Sequence, residues 1–325
     1  MAAKPGGYAI LEAVQFEMRA DPHLWMTWQS RQPVAVSPTG QVIDLFAEFG
    51  HPRIPFGTAI DEIWYTGAVA GAAMSGIPGI CVLPSMASIR SIELVFNQIG
   101  KLRHMTGGQA NMPLVLWVNH AGRRAGSAGQ HADAGQEALY GNIAGLKNVI
   151  PSNPYDAKGL MHAAIRDPDP VAFHHYGHIN NVEIDVPDGD YVVPIGQAAV
   201  RQQGNDITLI GFGPAAVEIN KAATELTAAG VSVEVIDPIT LKPLDVDTIV
   251  ASAKKTGRML AVDWGHQTMS AVSEVITQAA IGAPGTKFGR LAFPDAPPPG
   301  GRNMIEWMTP DAPKIVDAAQ KLLQA

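Results

Sequence analysis

The stretch NVIPSNPYDAKGLMHAAIRDPDPVAF, Asn148–Phe173, decides the fold. A short apolar run at Asn148–Ile150 leads through a Ser-Asn-Pro turn into a helix-forming segment at Ala157–Arg166. Asp-Pro-Asp-Pro then stops the helix, and a second apolar run opens at Val171–Phe173. Continuous short apolar runs on either side of a helix spell a strand–helix–strand unit whose strands are buried on both faces. Working outward, the same alternation recurs. A helix is expected over Asp61–Ser75, strands at Ile80–Leu83 and Leu114–Val118, and a long helix over Ile89–Met105. Ile10, Leu11, Val14 and Met18 share one helical face and predict an amphipathic opening helix.

Residues 178–195, rich in Asp, Gly, Pro and Val, read as a linker. Beyond it the pattern restarts with a strand at Asp206–Gly211, a helix at Pro214–Ala229 and a strand at Ser232–Ile236. A strand at Met259–Val262 and a closing helix at Ala312–Leu323 follow. The fold class is therefore α/β, with two three-layer α/β domains and mostly parallel sheets, divided as 1–185 and 186–325.

Composition narrows the function. The 325 residues are 46% hydrophobic and 16% charged, which excludes disorder and suggests that a partner covers part of the surface. A net charge of −7 without a basic run leaves no nucleic-acid footprint. The single cysteine, Cys81, lies in an apolar run and reads as a core thiol, excluding an internal disulfide or a cysteine zinc site. Ile63 to Ile89 carries no charge and is long enough for a bilayer, yet Gly76, Pro78 and Gly79 divide it into a buried helix and a buried strand. A cytoplasmic location is expected.

Several longer blocks carry a resemblance over nearly the whole chain. They are GTAIDEIWYTGAVAGAAMSG (Gly57–Gly76), IELVFNQIGKLRHMTGG (Ile92–Gly108), the GSAGQH loop ending at His131, EALYGNIAGLKNVIPSNPYDAKGLMHAAIRDPDPV (Glu137–Val171) and EVIDPITLKPLD (Glu234–Asp245). Together they resemble the beta subunit of the 2-oxo acid dehydrogenase decarboxylase component, the group of pyruvate, branched-chain 2-oxo acid and acetoin dehydrogenases. The resemblance implies a transketolase-like pair of domains, a pyrimidine-binding one and a C-terminal one. It implies thiamine diphosphate as cofactor, shared with an alpha-type subunit in an α2β2 assembly, and a lipoyl carrier protein as acyl acceptor.

On that resemblance Glu62 is the catalytic carboxylate that hydrogen-bonds the cofactor's aminopyrimidine, a task suited to a carboxyl group in an apolar pocket. Ile60, Ile63, Trp64 and Tyr65 surround it in sequence. Read without the resemblance, an acid behind Thr58 and Asp61 is simply the first turn of a capped helix. His131 is the second catalytic candidate, at the mouth of the site, where a group titrating near neutrality could act on substrate carboxylate or intermediate. Ser88 stands where the family meets the aminopyrimidine. Ala164, Ile165 and Asp167 lie where the family binds a monovalent cation through backbone carbonyls. His104, His120, His174 and His175 show no metal-ligand spacing.

The chain has Gly189-Asp190-Tyr191 but no GDG motif, so the resemblance assigns Mg2+ and the diphosphate to the alpha subunit. It departs from the family in three places: Leu24–Gln32 has no carboxylate, no aromatic lies between Ile77 and Val95, and His175 stands near a position that is often acidic.

Three other readings remain. One is a lyase or carboligase of the same fold without lipoyl transfer. A non-catalytic assembly subunit is another. The third is a nicotinamide-binding protein, on the strength of Gly211-Phe212-Gly213-Pro214-Ala215-Ala216 after a strand, with Asp237 ending the next one. Trp264, Gly265 and His266 are expected near an interface or pocket rim.

Overall fold

The computed structural model describes residues 2–28, 33–55, 60–84, 86–120, 135–182 and 184–325. The chain forms two compact units: one comprises residues 1–122 and 140–195, the other 123–139 and 196–325.

In the first unit, strands β1 (Trp25–Thr27), β2 (Gly79–Pro84), β3 (Leu114–His120), β4 (Lys147–Val149) and β5 (Val171–Tyr176) lie side by side in the order β4-β5-β3-β2-β1. Every neighbouring pair is parallel. Burial on both faces explains why these strands read as unbroken apolar runs. Helix α1 (Gly6–Ala20) packs along α3 (Pro154–Arg166), while α2 (Glu62–Met74) lies on β2. Cys81, Leu83, Leu116 and Val118 form one core with Tyr65, Val69 and Ala73 of α2. Trp117, between Leu116 and Val118, points to the other face by the two-residue period of a strand.

The helix ends follow their capping residues. Asp61 accepts from the amides of Ile63 (3.0 Å) and Trp64 (3.2 Å) and is the N-cap of α2, while Thr58 lies outside the described residues. Gly76, at φ +80, ends α2 with the amide of Ile77 bonded to Ala72 O and its own to Ala73 O. Asn153 caps α3 ahead of Pro154. The long helix expected at Ile89–Met105 is not continuous. It divides into a 3-10 turn (Met86–Ser91), a π-helical turn (Leu94–Ile99) and a short α-helix (Leu102–Met105).

Residues 178–195 are packed rather than a free linker. The Tyr191 hydroxyl donates to Tyr155 O at 2.8 Å, and Lys158 Nζ donates to Pro187 O at 2.7 Å. Lys158 is fully buried and also binds Glu12 at 2.7 Å. Glu12 in turn binds Lys4, which reaches Asp188 at 2.7 Å. This chain of charges fastens the N-terminus, α1 and α3 to the segment after β5.

One backbone approach is unusually close. A Cβ at Gly145, whose φ is +81, would sit 1.9 Å from Gly100 O. Gly145→Ala is therefore expected to destabilise the chain by roughly 2–4 kcal/mol, combining the left-handed penalty with an overpacked contact. Gly71→Ala, in mid-helix with nothing within 4 Å of the added Cβ, is expected to stabilise it by up to about 1 kcal/mol. Urea midpoints of the two variants would check this; an unchanged midpoint for Gly145→Ala would contradict the contact.

The second unit holds a five-stranded sheet of β6 (Ala199–Gln202), β7 (Ile207–Gly211), β8 (Val233–Asp237), β9 (Arg258–His266) and β10 (Lys287–Phe293), in the order β6-β8-β7-β9-β10. Only the β6–β8 pair is antiparallel. Helix α4 (Gly213–Ala228) and the closing helix α7 (Ala312–Gln324) share its core with Leu209, Val235, Val262 and Trp264. Helices α5 (Val246–Thr256) and α6 (Ala271–Gly282) pack against each other. Among the described residues, no helix is long and apolar enough to cross a membrane.

Candidate active site

Glu62 is the first residue of α2, directly after its cap, and is only 2% exposed. The apolar neighbours that surround it in sequence do not bury it. Ile60, Ile63 and Trp64 are exposed, and only Tyr65 turns inward. Adjacent residues on a helix face different ways, so these sequence neighbours do not account for the burial of the carboxylate.

Two observations locate the carboxylate. Arg90, in the 3-10 turn after β2, brings Nη1 to 3.6 Å from Glu62 Oε2. The Cys81 thiol on β2 feels the same carboxylate as a neighbouring negative charge. Burial pushes that thiol up to about 12, with the Glu62 charge adding to the effect and hydrogen bonds from Thr27 and Thr66 opposing it. Cys81 is therefore a core thiol, as expected, and no nucleophile.

Ser88 is fully buried in the same turn that carries Arg90, with its carbonyl accepting from Ser91 Oγ at 2.8 Å. The turn Met86–Ser91 and the head of α2 thus bring Glu62, Ser88 and Arg90 to one end of the sheet. Sequence reasoning missed Arg90. Its only signal was to be a lone cation after the charge-free stretch. His131 lies outside the described residues.

Beside this end of the sheet, β3 and β5 finish in paired histidines. His120 Nε2 lies 2.9 Å from His174 Nδ1, and the His120 ring stacks on Tyr176 at 4.1 Å. Burial lowers His174 to about 3 and His175 to about 4, so both rings are neutral at pH 7.

The remaining candidates have structural settings. The Asp167 carboxylate is held by Lys147 at 2.7 Å, leaving the main chain of Ala164, Ile165 and Asp167 as the cation candidate. Asp237, the acid of the dinucleotide-like pattern, is buried and bound to Arg201 at 2.9 Å, so it is not presented to a ribose. Trp264 lies in the core of the second unit, its indole nitrogen donating to Pro310 O at 3.2 Å. His266 Nδ1 sits 3.1 Å from Pro294 O.

The fold and site together define a class. Residues 7–175 match the transketolase pyrimidine-binding domain and residues 196–315 the transketolase C-terminal domain. The chain is 37% identical over 290 residues to the acetoin:2,6-dichlorophenolindophenol oxidoreductase subunit beta of Bacillus subtilis (strain 168), covering 86% of this chain and 82% of that protein. It is 32% identical over 330 residues to the protein of the same name from Cupriavidus necator, covering 97% and 96%. The pyruvate dehydrogenase E1 component subunit beta of Bacillus subtilis is 31% identical, with 97% of each chain covered. A solved split-gene transketolase, described as an inactive beta4 tetramer, superposes with a TM-score of 0.78 at 20% identity over 99% of this chain and 98% of that one, a likeness of fold. The chain belongs to the family of transketolase-type beta subunits found in pyruvate dehydrogenases and acetoin oxidoreductases.

Proposed function

We propose that this chain is the beta subunit of a heteromeric thiamine-diphosphate enzyme. It would decarboxylate or cleave a 2-oxo acid or related carbonyl substrate and pass the acyl fragment to an acceptor such as a lipoyl group. The observation that carries this reading is the buried Glu62 carboxylate at the head of α2, in a domain of the pyrimidine-binding family.

The residues present suit the pyrimidine half of that cofactor. Glu62 offers a buried carboxyl that can exchange a proton with a ring nitrogen, and Ser88 offers a small polar neighbour. When bound, thiamine diphosphate would supply carbanion-type carbon chemistry toward a carbonyl substrate. Glu62 Oε1 or Oε2 holds and returns the ring proton, and Arg90 sets a positive charge beside it. His131 completes the proposed set as the group acting on the substrate.

Mg2+ and the diphosphate are assigned to an alpha-type subunit in an α2β2 complex. The name "subunit beta" carried by the relatives supports a heteromer. A monovalent cation on the carbonyls of Ala164, Ile165 and Asp167, a lipoyl carrier and a cytoplasmic location belong to the same reading.

Calorimetric titration with thiamine diphosphate and Mg2+ tests it. Binding is expected only when the chain is co-assembled with its alpha-type partner. Tight binding by the isolated chain would overturn the shared-site reading, and binding in neither preparation would leave an assembly subunit.

A further inference from the structure

The face of the first sheet turned away from α2 carries a separate cavity of ≈ 280 Å³. Its walls include Tyr8 of α1, Trp28 just after β1, Val36, Trp117 and Asn119 of β3 and His175 of β5. Trp117 and His175 alternate along their strands with Leu116, Val118 and His174, so their side chains leave the sheet opposite the α2 core. The cavity is therefore distinct from the Glu62 site.

Two properties separate it from an ordinary packing defect. His175 is 6% exposed and Trp117 2% exposed, yet among the described residues neither ring nitrogen of His175, nor Trp117 Nε1, has a hydrogen-bond partner. Buried polar atoms are normally paired, and three unpaired ones on two neighbouring residues call for a group that satisfies them. The described residues lining the cavity also include no Lys, Arg, Asp or Glu. Among the described residues a charged ligand would find no counter-ion there.

The chemistry of the walls narrows the occupant. Trp28 meets Trp117 edge-on, with ring centroids 5.4 Å apart, giving aromatic surface for a flat ring. A neutral imidazole gives one donor and one acceptor, and the indole gives a second donor. An oxygen that accepts from the indole and exchanges a hydrogen bond with the imidazole satisfies this set. The volume suits a molecule of one or two rings rather than a coenzyme.

We propose that this cavity is a second ligand site, which binds a small uncharged ring compound bearing a hydroxyl or carbonyl oxygen through His175 and Trp117.

The test uses the full chain co-assembled with its alpha-type partner and phenol as the probe, followed by calorimetry. Saturable binding of one phenol per chain is expected with Kd below about 1 mM, and benzene, which lacks the oxygen, is expected to bind at least about tenfold more weakly. His175→Phe should weaken phenol by about tenfold or more while leaving benzene unchanged. Val36→Trp, at a half-exposed position on the wall, should abolish binding without touching the histidine. Glu62→Gln should bind phenol as the parent does, so failure of the proposed catalytic role and failure of this site are told apart.

No saturable binding up to about 10 mM phenol would mean a water-filled void and overturn the proposal. Equal affinities for phenol and benzene would also overturn it, because the polar atoms would then play no part. Should His175→Phe fail to fold, the phenol–benzene comparison and Val36→Trp decide the matter by themselves.

Discussion

Glu62→Gln is expected to lower turnover of the assembled enzyme by a factor of about 100 or more, the usual worth of a positioned proton-transfer group. Glutamine keeps the shape and the hydrogen-bonding reach of the side chain but cannot take up and return a proton. The variant should still fold. The residue is the first of α2, and the capping bonds belong to Asp61, not to Glu62. Arg90, the cation 3.6 Å from the carboxylate, is 61% exposed and remains hydrated when the charge is removed. Thermal midpoints of parent and variant should accordingly agree within a few degrees, on the order of 1 kcal/mol. Steady-state kcat on a 2-oxo acid, measured beside the melting curves, separates the outcomes. Undiminished kcat in a folded complex would remove Glu62 from the chemistry.

The second large effect is on acid stability. His174 and His175 are neutral in the folded chain because burial lowers them to about 3 and about 4, whereas an unfolded histidine titrates near 6.5. Between those values the unfolded chain binds protons that the folded chain refuses. Stability is therefore lost as pH falls below about 6.5, at about 1.4 kcal/mol per pH unit for each histidine. By pH 5 the pair together removes roughly 4 kcal/mol, a large share of the ~5–15 kcal/mol of a typical protein. Carboxylates titrate near 4, so the window between about pH 6 and 5 isolates the histidines. Urea unfolding across that window should show a falling midpoint, and His175→Phe should remove about half the slope. A midpoint independent of pH from 6.5 to 5 would contradict the neutral, buried assignment.

The α/β alternation was legible because strands buried on both faces leave short apolar runs that nothing else in a chain of this composition explains. Cys81 was legible for the same reason. What escaped was geometry decided by small departures from the regular period. A π-helical turn at Leu94–Ile99 carries the same apolar residues as an α-helix and differs only in a bond such as Gly100 N to Val95 O, one residue longer than the α pattern. The strand Lys287–Phe293 escaped because it is an edge strand with Lys287 and Arg290, and charge is what an exposed edge carries.

At the candidate site, the blocks around Glu62 pointed to that residue correctly as a buried acid, but for the wrong reason. Ile60, Ile63 and Trp64 next to it in sequence face outward, while Arg90 and Cys81, distant in sequence, are among its surroundings. A histidine such as His175 gives no sign in sequence of being sealed beside two tryptophans. Its neighbours come from β3 and from the segment after β1, brought together only by the register of parallel strands.

The buried ammonium of Lys158 carries a lesson for reading homologues. Exchanging it for an apolar residue leaves Glu12 with Lys4 alone, while neutralising Glu12 removes the carboxylate that the buried Lys158 faces and leaves Lys4 with Asp188. Positions 4, 12 and 158 should therefore drift as a group during divergence. Descendants would be expected to keep the whole set of charges or to replace it together, with few lineages preserving one member alone.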